Sequence, residues 1–178
     1  MRLIRWKLDG EIPPHPKMVI VGAPHTSNWD FPLAMVATPA LGIRIRFLGK
    51  HTLFRKPFGW FFRMLGGIPV DRGKAAAVMA QSVAAVEAAD KFALVVAPEG
   101  TRSKREYWKS GFYRIALAAE IPIVLVGLDG PNRTVTVGPD FVPTGNVGAD
   151  MDRIRSFYEG HRGIRPEKVG AVQLRNED

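Results

Sequence analysis

Two side chains able to move a proton stand five positions apart in Pro24-His25-Thr26-Ser27-Asn28-Trp29-Asp30. A carboxylate that accepts the proton of one imidazole nitrogen fixes the tautomer and leaves the other nitrogen free to take a proton from a substrate hydroxyl. With a helix starting near Ser27, the helix N-terminus favours neutral imidazole while Asp30 favours imidazolium, so the two oppose each other. The same residues have a second reading, in which Ser27 and Asp30 form a capping box and His25 merely occupies the turn before it. Of the four histidines only His25 has an aspartate five positions on; His15, His51 and His161 are followed there by Ile20, Lys56 and Pro166. The absence of cysteine excludes disulfides, thiolate metal sites and a cysteine nucleophile.

Two further polar clusters can join this pair. In Pro98-Glu99-Gly100-Thr101-Arg102 the glycine permits a tight turn, Arg102 can present a bidentate fork to phosphate, and Glu99 can hold either that arginine or a substrate hydroxyl. A surface turn with an ion pair explains the same letters. Asp71-Arg72 is a common surface dipeptide whose interest lies in its position. A serine hydrolase is disfavoured because no G-x-S-x-G elbow exists, and a metal hydrolase because there is neither H-E-x-x-H nor any close pair of histidines; no metal is expected.

What must position these residues is an α/β alternation. Apolar runs rich in β-branched residues recur at Met18–Ala23, Ile43–Leu48, Ile68–Val70, Phe92–Ala97 and Ile121–Leu128, with helix-like stretches between them. Helices are predicted over Lys74–Asp90, about Tyr107–Glu120 and Met151–Tyr158, with a turn at Asp129–Asn132 and a further strand at Thr134–Val137. In such sheets ligands collect beyond the carboxyl ends of parallel strands, which is where His25–Asp30, Asp71-Arg72 and Glu99–Arg102 fall. The length of 178 residues fits one domain, 1–178, with a motif-bearing core at 19–137 and a closing helix at about 150–160.

The net charge of +8 implies attraction to something anionic: nucleic acid, a phosphorylated metabolite or an acidic membrane surface. Leu53–Leu65 interleaves Phe54, Phe58, Trp60, Phe61, Phe62, Met64 and Leu65 with Arg55, Lys56 and Arg63. Such a stretch suits an anionic membrane interface or an alkyl channel, and equally a buried segment under the sheet. The longest charge-free run, Phe31–Ile43, is too short and too broken by Pro32 and Pro39 to span a bilayer. Residues Met1–Leu8 alternate cations with apolar residues rather than forming a secretory signal, so a cytoplasmic protein is expected.

Taken in order, His25-x-x-x-x-Asp30, Gly66-Gly67-Ile68-Pro69-Val70-Asp71-Arg72, Pro98-Glu99-Gly100-Thr101-Arg102-Ser103 and Ile121-Pro122-Ile123-Val124 resemble the four blocks of the glycerolipid acyltransferase family, over about Val19–Val137. That family includes the lysophosphatidic acid and glycerol-3-phosphate acyltransferases of phospholipid biosynthesis. The resemblance implies an α/β domain with a mostly parallel central sheet flanked by helices. It implies transfer of a fatty acyl group from acyl-CoA or acyl-carrier protein to a lysophospholipid hydroxyl, with no covalent acyl-enzyme and no cofactor. His25 would be the base and Asp30 its orienting partner. Arg72, Glu99, Gly100, Thr101 and Arg102 would match the acceptor and phosphate positions, and the fourth block would help shape the acyl site. Many members have asparagine where this chain has Pro24, an aromatic at Pro69 and a second proline at Leu125. Those departures leave the acceptor open, including a soluble or unusual lipid hydroxyl. The expected setting is the cytoplasmic membrane face, with peripheral contact to anionic lipid and no nucleic-acid partner. The alternative from another class is a non-catalytic basic α/β module that binds anionic lipid or nucleic acid through charge alone.

Overall fold

A computed structural model describes residues 5–71 and 73–177. Its strands are β1 (Lys7–Asp9), β2 (Lys17–Ala23), β3 (Ile45–Lys50), β4 (Gly67–Val70), β5 (Phe92–Val96), β6 (Ile123–Asp129) and β7 (Thr134–Phe141). They form one sheet in the order β1-β7-β6-β2-β5-β3-β4, parallel except where β6 meets β7. The helices are α1 (Asp30–Ala40), α2 (Gly59–Met64), α3 (Ala75–Glu87), α4 (Gly111–Ala118) and α5 (Val147–Tyr158).

Centrality in the sheet follows from apolarity. Strand β2 is flanked by β5 and β6, so both of its edges are hydrogen-bonded, and with apolar clusters on both of its faces five of its seven residues are buried. Its side chains alternate between two cores. Val19, Val21 and Ala23 pack with Leu94, Ile123 and Leu125 against Val86 of α3, Phe112 and Ile115 of α4, and Met151, Ile154 and Tyr158 of α5. Met18 and Ile20 enter a smaller cluster with Ala93 and Val124 on the other face.

The predicted strands are present with ends shifted by up to four residues, the last continuing through Gly138 and Pro139 to Phe141. The three residues of β1, two of them charged, give no apolar run and were not predicted; they lie at the sheet edge beside β7. The helix expected from Tyr107 begins only at Gly111. Trp108 is instead drawn into a bridge with Leu174, its N–H donating to the Gln173 carbonyl at 2.8 Å.

Helix α5 is fixed at its start by a polar knot. Asp150 is fully buried and accepts hydrogen bonds from the Tyr113 hydroxyl (2.8 Å) and the Thr144 N–H (2.7 Å). Burial, followed by the adjacent carboxylate, pushes the Tyr113 phenol up to about 12. Asn146 caps the helix by accepting from Ala149 N at 3.1 Å.

Candidate active site

Strand β2 stops because Pro24 cannot continue the ladder, and the chain turns out of the carboxyl edge of the sheet into α1. Thr26 and Ser27 are buried in this turn, and Asp30 opens the helix with 7% of its side chain exposed. One carboxylate oxygen organises the turn: Asp30 Oδ2 accepts from Thr26 N and Ser27 N, each at 2.8 Å. The Ser27 hydroxyl accepts from Trp29 N at 3.2 Å. Only half of the expected capping box forms: Asp30 accepts from Ser27 N, but Ser27 Oγ is on Trp29 N rather than Asp30 N, and the cap of α1 is Trp29, which makes no side-chain cap bond. The same Oδ2 lies 2.8 Å from His25 Nδ1, so the proton-moving arrangement is present as well. The turn-stabilising contacts and the imidazole contact thus coexist on one carboxylate oxygen.

With Nδ1–H directed at Asp30, the remaining lone pair of neutral His25 is on Nε2, at the outer tip of a ring whose side chain is 24% exposed. Asp30 Oδ1 is buried and has no hydrogen-bond partner among the described residues.

Glu99 reaches this turn from the end of β5, the strand beside β2. Its Oε1 accepts from His25 N at 2.9 Å, so it holds the histidine backbone rather than pairing with Arg102, which is exposed. Glu99 is buried, and its Oε2 has no partner among the described residues. Desolvation raises the Glu99 carboxyl above its ordinary value, opposed chiefly by the hydrogen bond from the His25 backbone. Below it, Tyr158 at the end of α5 donates to Val21 O at 2.6 Å; burial and then the nearby Glu99 hold that phenol protonated.

Gly100 takes φ +65°, where L side chains are strained, and a Cβ there would lie 2.9 Å from Lys109 Cε and 3.2 Å from its Nζ. Lys109 is thus a cation folded back over the Glu99–Arg102 turn, held by its N–H donating to Pro98 O at 2.8 Å. Sequence reasoning missed it, since nothing local ties a lysine to a glycine nine residues earlier. Thr101 is half-buried and accepts from Ser103 N at 3.4 Å.

The first and third polar clusters therefore touch. The second leaves the same edge at the end of β4, three strand positions from β2, or about 14 Å at ordinary strand spacing. Asp71 there accepts from Gly73 N at 3.1 Å, and Arg72 lies outside the described residues.

Comparison with known proteins gives three findings. The acyltransferase family model matches residues 5–129. A 1-acyl-sn-glycerol-3-phosphate acyltransferase of Streptococcus pneumoniae is 30% identical over 140 residues, covering 72% of this chain and 51% of that protein, so the chain spans about half the length of this relative. The crystal structure of the 1-acyl-sn-glycerophosphate acyltransferase from Thermotoga maritima superposes with a TM-score of 0.58 at 22% identity, over 78% of this chain and 62% of that one, a likeness of fold.

Proposed function

The chain belongs to the acyltransferase family, and on that premise we propose that it transfers a fatty acyl group from a thioester to the hydroxyl of a lysophospholipid such as 1-acylglycerol-3-phosphate. The observation that carries the reading is the His25–Asp30 pair at 2.8 Å, with Nε2 free at the carboxyl edge of a parallel sheet. His25 Nε2 takes the acceptor hydroxyl proton as that oxygen attacks the thioester carbonyl carbon. The new C–O bond forms, the tetrahedral intermediate collapses with cleavage of the C–S bond, and the imidazolium returns its proton to the departing thiolate. Asp30 orients the ring and stabilises the imidazolium between those steps. Arg102 and Lys109 are exposed cations on the adjoining turn, suited to an acceptor phosphate. The donor is acyl-CoA or acyl-carrier protein.

Long-chain acyl-CoA mixed with lysophosphatidic acid should release free CoA, and His25→Ala should abolish the release. Turnover of wild-type size in that variant would sink the mechanism.

The acceptor is met at a membrane. Phe54 and Gly59 are buried against the sheet, yet Leu53, Phe58, Trp60, Phe61 and Met64 are exposed, four of them on or just before α2. Between Asp30 and Asp71 there is no acidic residue, while Arg44, Arg46, Lys50, Arg55, Lys56 and Arg63 are all cationic. Exposed aromatics in a segment whose only charges are cationic suit the cytoplasmic face of an anionic bilayer, and no helix among the described residues is long and apolar enough to cross one. Cosedimentation with vesicles containing phosphatidylglycerol should exceed that with neutral phosphatidylcholine, and Trp60→Ser with Met64→Ser should lower it roughly 10-fold, as loss of partial burial of two large side chains implies. Equal binding of the double variant would remove α2 from the interface.

A further inference from the structure

The turn that carries His25 is held from two sides, and only one belongs to the motifs. On the β5 side Glu99 accepts from His25 N. On the β6 side the chain leaving α5 crosses over the end of the sheet, C-terminal to everything the family model matches. It is laced to β6 by Gly163 N donating to Leu128 O (2.9 Å) and Gly130 N donating to Gly163 O (2.8 Å), with a parallel bridge between Asp129 and Gly163. Two residues on, Arg165 N donates to Thr26 Oγ1 at 3.0 Å. Gly163 takes φ +60°, and a Cβ there would lie 2.8 Å from Thr26 Oγ1 and 3.4 Å from Pro24 O. The contact is thus close enough to require glycine.

Thr26 is the residue between His25 and Ser27, its side chain is buried, and its own N–H is one of the two that fix Asp30 Oδ2. From this geometry we propose that the C-terminal segment Gly163–Arg165 is a brace for the catalytic turn, acting through Thr26 as a positioning residue. The Thr26 hydroxyl ties the turn to the brace, the Thr26 N–H then points at Asp30, and Asp30 in turn holds His25 Nδ1–H. Nothing in the brace need touch substrate. The proposal rests on His25 being the base, but it concerns what fixes that ring.

Thr26→Val keeps the shape and removes the acceptor of the Arg165 N–H; Thr26→Ser restores it. Expected for Thr26→Val is a kcat roughly 10- to 100-fold lower, the scale of a misplaced catalytic group, with KM within about 2-fold. Thr26→Ser should recover kcat to within about 3-fold of wild type. Nitrogen-15 NMR of the imidazoles, with His25→Gln to assign the signal, should show the Nδ1–H tautomer of His25 in the wild type and in Thr26→Ser, and tautomer mixing in Thr26→Val. That signal needs no turnover, so it tests the brace even if His25→Ala retains activity and the base assignment fails. A folded Thr26→Val with wild-type kcat and an unchanged His25 signal overturns the proposal, as does a Thr26→Ser as impaired as the valine variant.

Discussion

Two histidine–aspartate pairs lie within hydrogen-bond distance among the described residues, at opposite ends of the same part of the sheet. His15 Nε2 is 2.6 Å from Asp140 Oδ2, and His25 Nδ1 is 2.8 Å from Asp30 Oδ2. Distance alone would favour the first. Their surroundings separate them. His15 precedes the start of β2, and Asp140 sits near the end of antiparallel β7 opposite Val124 at the start of β6, so this pair is at the amino edge and 36% exposed on both sides. His25–Asp30 is at the carboxyl edge, with its carboxylate buried and fixed by two backbone N–H groups. The nitrogens differ too. His15 uses Nε2 and leaves the nitrogen nearest its own backbone, whereas His25 uses Nδ1 and leaves the tip of the ring for a substrate. A base needs a fixed partner and an open far nitrogen at the edge where loops gather, and only the second pair has all three.

Substitutions can break this contrast. The largest expected effect is His25→Ala against His15→Ala in the CoA-release assay: a loss of roughly 10²- to 10⁴-fold for the first, as for removal of a general base, and less than about 2-fold for the second. Similar losses in both would mean that the edge of the sheet does not decide the matter. An exposed pair such as His15–Asp140 contributes only about 0.2–1 kcal/mol, so His15→Ala should melt close to wild type.

Asp30→Asn sharpens the same comparison. An amide oxygen in place of Oδ2 can still accept from Thr26 N, Ser27 N and His25 Nδ1, so the turn keeps its shape while the charge that stabilises imidazolium is lost. We expect kcat to fall roughly 10- to 10²-fold with little change in melting temperature. A variant that unfolds would show that the charge holds the turn, and full activity would remove Asp30 from the chemistry.

The smallest effect concerns the cost of burying charge beside His25. Glu99 is raised by desolvation, so folding favours its neutral form. Relative to the unfolded chain, the stability associated with that proton is present below the ordinary carboxyl value near 4.5 and is lost as pH rises through the raised folded value. Glu99→Gln keeps an acceptor for His25 N and removes the titration. It should therefore melt above wild type at pH 8, with a gap that closes towards pH 4. A gap that does not vary with pH would contradict the raised value.

Much of the site could be read from the letters because its parts are local. His25 to Asp30 is one turn between a strand and a helix, and Pro98 to Arg102 is another, so residue type and spacing reveal both. Strand-end placement then put them on one edge. Lys109 over Gly100 and the Thr26–Arg165 tie, spanning 139 positions, left no local pattern. Nor did Asp140 beside His15, 125 positions away. The aromatic run at Leu53–Leu65 was legible as amphipathic material but not as to which residues face outward, because its 3₁₀ and helical turns are short and Phe54 alone of its phenylalanines is buried.

By itself, the sequence determined the α/β alternation, a consequence of hydrophobic periodicity, and offered His25 and Asp30 as a proton-moving pair beside a capping-box reading, a matter of spacing within one turn. Only the tertiary structure decided that Glu99 grips the His25 backbone, that the chain after α5 closes over Thr26, and that the other histidine–aspartate pair lies at the wrong edge. Those contacts depend on which strands lie side by side, and strand order is set by how buried faces pack across the whole chain, which no local spacing records.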